Sequence, residues 1–105
     1  MKITVPVMFA LIVALALPSM ALAQDPSGKT LYRKYCNMCH PNGGNIMKPG
    51  FGLHKADLEK NGVKTEKDII DKMRHPGTGM PAFSKDKISD SDADAIADYI
   101  MKTFK

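Results

Sequence analysis

Apolar residues recur at helical spacing near the end of the chain. They fall three or four positions apart, which places them on one face of a helix. These residues are Ala93, Ile96, Ala97, Ile100, Met101 and Phe104. Ser89 is a suitable N-cap before them, and the aspartates that follow favour the positive end of a helix dipole. The pattern therefore predicts an amphipathic C-terminal helix that begins after Ser89.

A second predicted helix lies near residue 30. It has Ser27 or Asp25 as its N-cap and runs from about Gly28 into residues 36–40. Gly28 lies in its first turn, where glycine usually costs helix stability. Its presence there indicates either a loosely formed helix start or the close approach of another helix.

Two short helices are predicted in the middle of the chain. One covers Lys55 to Lys60 and ends at Asn61-Gly62, a pair that suits a helix C-terminus. The other follows Thr65, which forms a capping-box pattern with Asp68, and it ends before Pro76. About four helices are therefore expected in all.

The segments between these helices are rich in Gly and Pro. Residues 41–53 and 77–83 have the composition of loops, and Met80 stands at the centre of the second one. No stretch of the chain alternates polar and apolar residues convincingly with period two. The predicted fold class is therefore all-α.

The first residues have the features of an export signal. Lys2 precedes an apolar run from Val5 to Leu17, and small residues end the segment at Ala23. This predicts a secretory signal peptide over residues 1–23 and a single domain over residues 24–105. An uncleaved membrane anchor is the alternative, because the apolar segment is barely long enough to span a bilayer.

The predicted mature chain is small and mildly basic. Removing 23 residues from 105 leaves 82, a length whose apolar core is marginal by itself. Removing Lys2 leaves fourteen Lys and Arg against eleven Asp and Glu, a net charge of about +3. This charge is too small, and too little interleaved with aromatic residues, to indicate nucleic-acid binding.

The chain's two cysteines both lie in the segment Cys36-Asn37-Met38-Cys39-His40. C-x-x-C-H is the attachment signature of a c-type haem. Thiols at this spacing form thioethers with the two vinyl groups of the porphyrin, and His40 then lies under the ring as the proximal iron ligand. We therefore expect one haem c, bound covalently through Cys36 and Cys39.

Three other interpretations of the cysteine pair have less support. A zinc site needs four ligands, and the chain has no second C-x-x-C. A thioredoxin-like redox pair belongs near a βαβ pattern, which is not found here. A structural disulfide is the remaining alternative, although it would leave His40 unexplained.

The sixth ligand of the iron decides what such a protein does. The candidates are Met38, Met47, Met73, Met80, Met101, His54 and His75. Met38 and Met47 are tethered close to the proximal side, and Met73 and Met101 lie on apolar helical stripes that predict core packing. Met80 lies in a loop, where no helical periodicity calls for an apolar residue. It lies forty positions after His40 in the chain. His54 and His75 remain its competitors.

Taken together, these segments make the chain resemble the class I c-type cytochromes, most closely the cytochrome c6 group. The resemblance extends from Gly28-x-x-x-Tyr32 through the haem motif and Gly43-Gly44-Asn45 to the terminal helix. It implies the small cytochrome c fold, with Gly28 and Tyr99 at the crossing of the terminal helices. It also implies His40 and Met80 as the axial iron ligands. By position, Pro49 resembles the residue whose carbonyl accepts a hydrogen bond from Nδ1 of the proximal histidine.

The resemblance implies an electron carrier and not an enzyme, because two protein ligands leave no iron position open. Its expected partners are larger redox complexes that dock weakly at the exposed haem edge, with no nucleic acid, no stable membrane insertion and no required dimer. The expected location is the periplasm, or the thylakoid lumen in a photosynthetic cell. Lysines at the predicted haem rim could steer acidic partners. They are Lys34, Lys48, Lys55 and Lys72, with Arg74.

Two other functions remain open from the sequence. If Met80 can be displaced, the protein could bind or sense a small ligand such as CO or NO. A peroxidase-like enzyme would need acid or base groups on the distal side of the haem, where the loop around Met80 offers only His75.

Overall fold

The computed structural model describes Lys2 and residues 27–105. Within that part, the chain forms four α-helices and no strand, which confirms the all-α prediction. The helices are α1 (Gly28–Tyr35), α2 (Lys55–Lys60), α3 (Glu66–Arg74) and α4 (Asp90–Thr103). None of these helices is long and apolar enough to cross a membrane. Apart from Lys2, the predicted signal peptide lies outside the described residues.

The helices begin at the polar residues that the sequence indicated. The Ser27 hydroxyl accepts a hydrogen bond from the Thr30 amide at the start of α1. Ser89 caps α4 in the same way. At α3, Thr65 and Asp68 form the complete capping box, in which each side chain binds the backbone amide of the other residue. Local sequence therefore fixes where these helices begin.

The helix α4 is the centre of the hydrophobic core. Both α1 and α3 pack on it, and its residues Ala93, Ile96 and Ala97 are completely buried. Ile88, in the turn before α4, is also completely buried. The buried face of α4 is the apolar face that the spacing predicts, except that Met101 lies at its edge and is 37% exposed.

Gly28 lies where α1 meets α4 at close range. A Cβ atom built on Gly28 would overlap the carbonyl oxygen of Ala95 and lie 2.9 Å from the Cβ of Tyr99. Real Cβ atoms do not approach other atoms so closely. Of the two interpretations of this glycine, the structure therefore supports close helix packing.

The loop after His40 differs from the prediction in one respect. It opens with a single 3₁₀ turn, Pro41–Gly43, where a loop without helical structure was expected. Asn42 and Gly43 have positive φ angles of 53° and 77°, and Gly43 lies against the Phe104 ring, where an ideal Cβ would be 2.5 Å from the nearest ring carbon. The ring of Phe104, about sixty positions away, therefore leaves no room for a side chain at Gly43, and no local pattern encodes this contact.

Candidate functional site

A cavity of about 500 Å³ opens between the segment after α1 and the loop after α3. Cys36, Cys39, His40 and Met80 all contribute to its lining. Much of the remaining wall consists of apolar side chains from the core. The principal ones are Leu58, Val63, Ile69, Met73, Phe83 and Ile100. The structure therefore brings the predicted attachment and ligand residues to one apolar cavity.

The attachment segment leaves α1 in a tight turn. Cys36 is the C-cap of α1, and its carbonyl accepts hydrogen bonds from the amides of Cys39 (3.2 Å) and His40 (2.9 Å). The two cysteines are not joined to each other. Cys36 is buried, and this burial raises the pKa of its thiol to about 11. An apolar wall around this sulfur suits a thioether bond better than a free thiolate.

His40 is held by hydrogen bonds on both its backbone and its ring. The Tyr32 hydroxyl donates to the His40 carbonyl and accepts from the Gly43 amide (3.2 Å). Burial raises the pKa of Tyr32 to about 12, so the hydroxyl stays protonated and can donate. The ring Nδ1 of His40 donates to the Gly44 carbonyl at 2.7 Å. This second bond leaves Nε2 free to bind iron.

The carbonyl that accepts the hydrogen bond from His40 is not that of Pro49, which the family resemblance had suggested. Gly44 accepts the bond because the turn at Pro41–Gly43 folds the chain back within four residues of His40. Pro49 lies farther along the loop in the turn Lys48–Phe51 and is exposed. The structure thus assigns the hydrogen bond to Gly44, where position within the family had suggested Pro49.

Met80 lies at the tip of the loop that follows α3. The amide of Phe83 returns to the Met73 carbonyl at 2.8 Å, which closes the loop onto the last turn of α3. Met80 itself is partly buried and packs against the core. Its thioether can therefore reach the interior of the cavity from a segment distant in sequence from His40.

The competing ligands occupy other positions. His54 and His75 are exposed and do not line the cavity. The Nε2 of His54 already donates to the Asn42 carbonyl at 2.9 Å. Met73 lines the cavity from the core and is 3% exposed, whereas Met101 lies on α4 outside the cavity.

Met38 and Met47 lie at the cavity mouth. They are 86% and 72% exposed, so their sulfurs are largely turned to solvent. Among the methionines of the described chain, Met80 and Met73 are thus the two that contribute buried or partly buried surface to the cavity. Met73 is fixed within α3, which leaves Met80 as the ligand candidate on a loop.

Lysines also contribute to the cavity lining. Lys34, Lys48 and Lys72 do so as predicted, and Lys87 joins them. Among the described residues, no Asp or Glu contributes to this lining. Two predicted rim cations lie elsewhere. Lys55 is 4.0 Å from Glu59 on α2, and Arg74 is 13% exposed with its guanidinium bound to backbone carbonyls and Asp90.

Lys87 and Tyr35 also line the cavity, which no pattern in the sequence predicted. Tyr35 packs edge-on against Phe83, with 5.9 Å between ring centroids, and its hydroxyl donates to the Lys87 carbonyl at 3.3 Å. Both contacts join residues about fifty positions apart, so spacing within one element gives no signal for them.

This arrangement fits a covalently attached haem. Two cysteine side chains, an imidazole with a free Nε2 and a thioether surround one apolar cavity, which is the donor set of a c-type haem with His and Met ligands. An apolar porphyrin in this cavity would also complete the core of so short a chain.

Comparison with known proteins agrees with this assignment. The family model described as cytochrome c oxidase, cbb3-type, subunit III matches residues 23–100. Cytochrome c6 of Rippkaea orientalis is 36% identical over 89 residues, which is 84% of this chain and 79% of that protein. The Synechocystis cytochrome c6 is 37% identical over 87 residues, covering 82% and 72% of the two chains. The chain belongs to the class I c-type cytochromes.

Solved structures show the same relationship for the fold. Outer membrane cytochrome F (OmcF) from Geobacter sulfurreducens superimposes with a TM-score of 0.73 at 39% identity, over 75% of this chain and all of that one. Oxidised cytochrome c6A from Arabidopsis thaliana gives a TM-score of 0.66 at 32% identity, over 70% and 82% of the two chains. These similarities confirm the small cytochrome c fold.

Family membership also establishes the cofactor and the general activity. This c6-like cytochrome carries one haem c, covalently bound at the C-x-x-C-H motif of Cys36, Cys39 and His40. Its cytochrome c6 relatives are electron carriers that meet their redox partners transiently. The relatives do not identify the iron ligands, the location or the docking surface of this chain. These have to be inferred from its own residues.

Proposed function

We propose that this cytochrome is an exported carrier of single electrons whose haem iron is held by His40 and Met80. The supporting observation is that His40 and Met80, which lie on separate segments, line the same apolar cavity. The haem supplies the one-electron couple of its iron. The chain holds both axial positions and keeps water away from the metal, so that little has to rearrange when an electron enters or leaves.

The protein would then have no enzymatic activity of its own. If His40 and Met80 both hold the iron, a substrate would find no free position on it. Methionine ligation and an apolar cavity also favour the reduced, less charged iron and give a higher potential than two histidines would. Both features suit a carrier.

The ligand assignment is tested by visible spectra of the haem-loaded protein. The oxidised wild type should show the weak far-red charge-transfer band of iron bound to methionine sulfur. Met80→Ala should abolish this band. Met47→Ala is the matched control, because Met47 also lines the cavity but is 72% exposed, and it should retain the band. A wild type without the band, or a Met80→Ala variant that keeps it, would exclude Met80 as the ligand.

The docking surface is proposed to be the mouth of this cavity. Four lysines and two exposed methionines line it, and among the described residues no carboxylate does. Such a surface favours an acidic redox partner, which is attracted over a distance and held by a small apolar contact. The local potential of this surface can be measured.

Two small oxidants of opposite charge provide that measurement. If the lysines determine the local potential, replacing Lys34, Lys72 and Lys87 with Gln should slow reduction of anionic hexacyanoferrate(III) several-fold at low ionic strength. The same variant should reduce the cation tris(phenanthroline)cobalt(III) faster. Replacing Lys29, Lys60 and Lys67, which do not line the cavity, controls for net charge. Equal effects of the two triple variants would contradict the proposed surface.

Export rests on the predicted signal peptide. If residues 1–23 are removed on secretion, the haem-loaded protein recovered from the periplasm should begin at Gln24. Retention of residues 1–23 in a membrane fraction would instead support the uncleaved anchor.

Ligand binding is the second candidate function, and one observation favours it. The loop around Met80 contains Gly77 and Gly79, which contribute no side chain that packs it against the core. If Met80 leaves the iron readily, the reduced wild type should bind CO rapidly at neutral pH. A reduced protein that does not react with CO would exclude this function and favour the carrier.

A further inference from the structure

Arg74 ends α3 with its side chain turned inward. Only 13% of that side chain is exposed. Its Nη1 donates to the carbonyl oxygens of Phe83 (3.0 Å) and Ile88 (2.8 Å), and its Nη2 donates to the carboxylate of Asp90 (3.0 Å). Arg74 therefore joins the end of α3 to the segment that connects the loop of Met80 with α4.

Phe83, where the loop of Met80 ends, makes two hydrogen bonds to α3. The Phe83 amide donates to the Met73 carbonyl at 2.8 Å, while the Phe83 carbonyl accepts from Arg74. Both polar backbone groups of Phe83 are thus bound to the last turn of α3. Its ring is buried and packs edge-on against Tyr35. Phe83 is a fixed point only three residues from Met80.

We propose that Arg74 is the positioning residue for the sixth iron ligand: its bonds to Phe83 and Ile88 fix the end of the loop and so hold the Met80 sulfur on the iron. This inference rests on the proposed ligation by His40 and Met80. Holding two carbonyls and a carboxylate at once requires the planar, multiply donating guanidinium, which a lysine does not reproduce.

The geometry separates this role from that of an ordinary ion pair. Lys85 also approaches Asp90, at 3.4 Å, but its side chain is 73% exposed. In the described chain it makes no hydrogen bond to Phe83 or Ile88. Removing Lys85 therefore disturbs the ion pair alone, and neutralising Asp90 weakens one contact of Arg74 but keeps its two carbonyl contacts. Removing the guanidinium leaves both carbonyls without their donor.

Imidazole binding to the oxidised, haem-loaded protein measures how readily Met80 leaves the iron. The variants are Arg74→Gln and Arg74→Lys, with Lys85→Gln and Asp90→Asn as controls. Arg74→Gln should bind imidazole about tenfold more tightly than wild type, because losing charge-assisted hydrogen bonds makes loop opening easier. Arg74→Lys should have an imidazole affinity between those of wild type and Arg74→Gln, since it keeps the charge but loses the planar guanidinium. Both controls should stay within about twofold of wild type.

A second measurement distinguishes local positioning from general stability. During denaturation of Arg74→Gln, the far-red band should disappear at a lower denaturant concentration than the helical circular dichroism signal. Coincident loss of both signals, or equal imidazole affinities for Arg74→Gln and Lys85→Gln, would overturn the inference. If Arg74→Gln does not fold with haem, Arg74→Lys against Asp90→Asn decides by the same criteria. A wild type without the far-red band would instead refute the ligation by Met80.

Discussion

Replacing Gly28 with alanine tests how closely α1 and α4 must approach. The added methyl group would overlap the carbonyl oxygen of Ala95 and lie 2.9 Å from both the carbonyl carbon of Ala95 and the Cβ of Tyr99. Two of the three atoms belong to backbone, so rotation of a side chain cannot relieve the overlap. The helices have to separate by several tenths of an ångström to about 1 Å, since carbon atoms pack best at roughly 3.5–4.0 Å.

Two opposing effects determine the size of the loss. Forcing an extra methyl group into a packed contact typically costs about 1–3 kcal/mol, and occasionally more. Alanine favours a helix interior over glycine by up to about 1 kcal/mol, and by less in the first turn. We therefore expect Gly28→Ala to lower the free energy of unfolding by about 2 kcal/mol. In a domain of this size, that corresponds to a fall in melting temperature of roughly 10 °C.

Circular dichroism of the haem-loaded protein in guanidinium chloride measures this loss. Lys29→Ala is the matched control, because it places alanine in the same turn of α1 at an exposed position. The control should change the free energy of unfolding by no more than about 0.5 kcal/mol, since substitutions at exposed sites have small effects. If Gly28→Ala were as stable as Lys29→Ala, the close packing inferred at the α1–α4 contact would be wrong.

Two further predictions concern the C-terminus and acid stability. Phe104→Ala should cost about 3–5 kcal/mol of unfolding free energy in a denaturant titration, because this buried ring packs on Gly43 and on two tyrosines. In Asp68, hydrogen bonding from the Lys64 amide holds the carboxyl pKa below its ordinary value of 3.8. The stability it contributes is therefore present above about pH 4 and lost as the pH falls through the lower folded-state pKa. Urea midpoints should fall less between pH 5 and pH 3 in Asp68→Asn than in Asp86→Asn.

The ends of the helices could be predicted because short-range interactions determine them. Ser27, Thr65 and Ser89 each cap a helix through a bond to an amide three residues later, so both partners lie within one turn of sequence. Gly62 takes the positive φ angle that follows a helix end. The haem motif was recognisable for the same reason, since its reactive residues are spaced within five positions.

The contacts that complete the site depend on residues far apart in the chain. Position in the family suggested Pro49 as the acceptor for His40, but the turn that brings Gly44 to the ring depends on Phe104 and Tyr32. Arg74 was expected at the haem rim because it is a cation near the loop of Met80. Its inward orientation depends on carbonyls that only the folded chain provides. Spacing along one element carries no information about such contacts.

The two loops that carry the proposed iron ligands are held by the same kind of support. His40 is fixed by the Tyr32 hydroxyl on α1, and the loop of Met80 is fixed by Arg74 on α3, so each polar anchor lies on a helix and outside the apolar wall. Because α1 and α3 both pack on α4, the position of α4 determines the distance between Tyr32 and Arg74. Yet α4 contributes only Ile100 to the cavity lining among its described residues. A change in the packing of α4 away from Ile100 should therefore alter the geometry of the proposed iron ligands without contacting the haem.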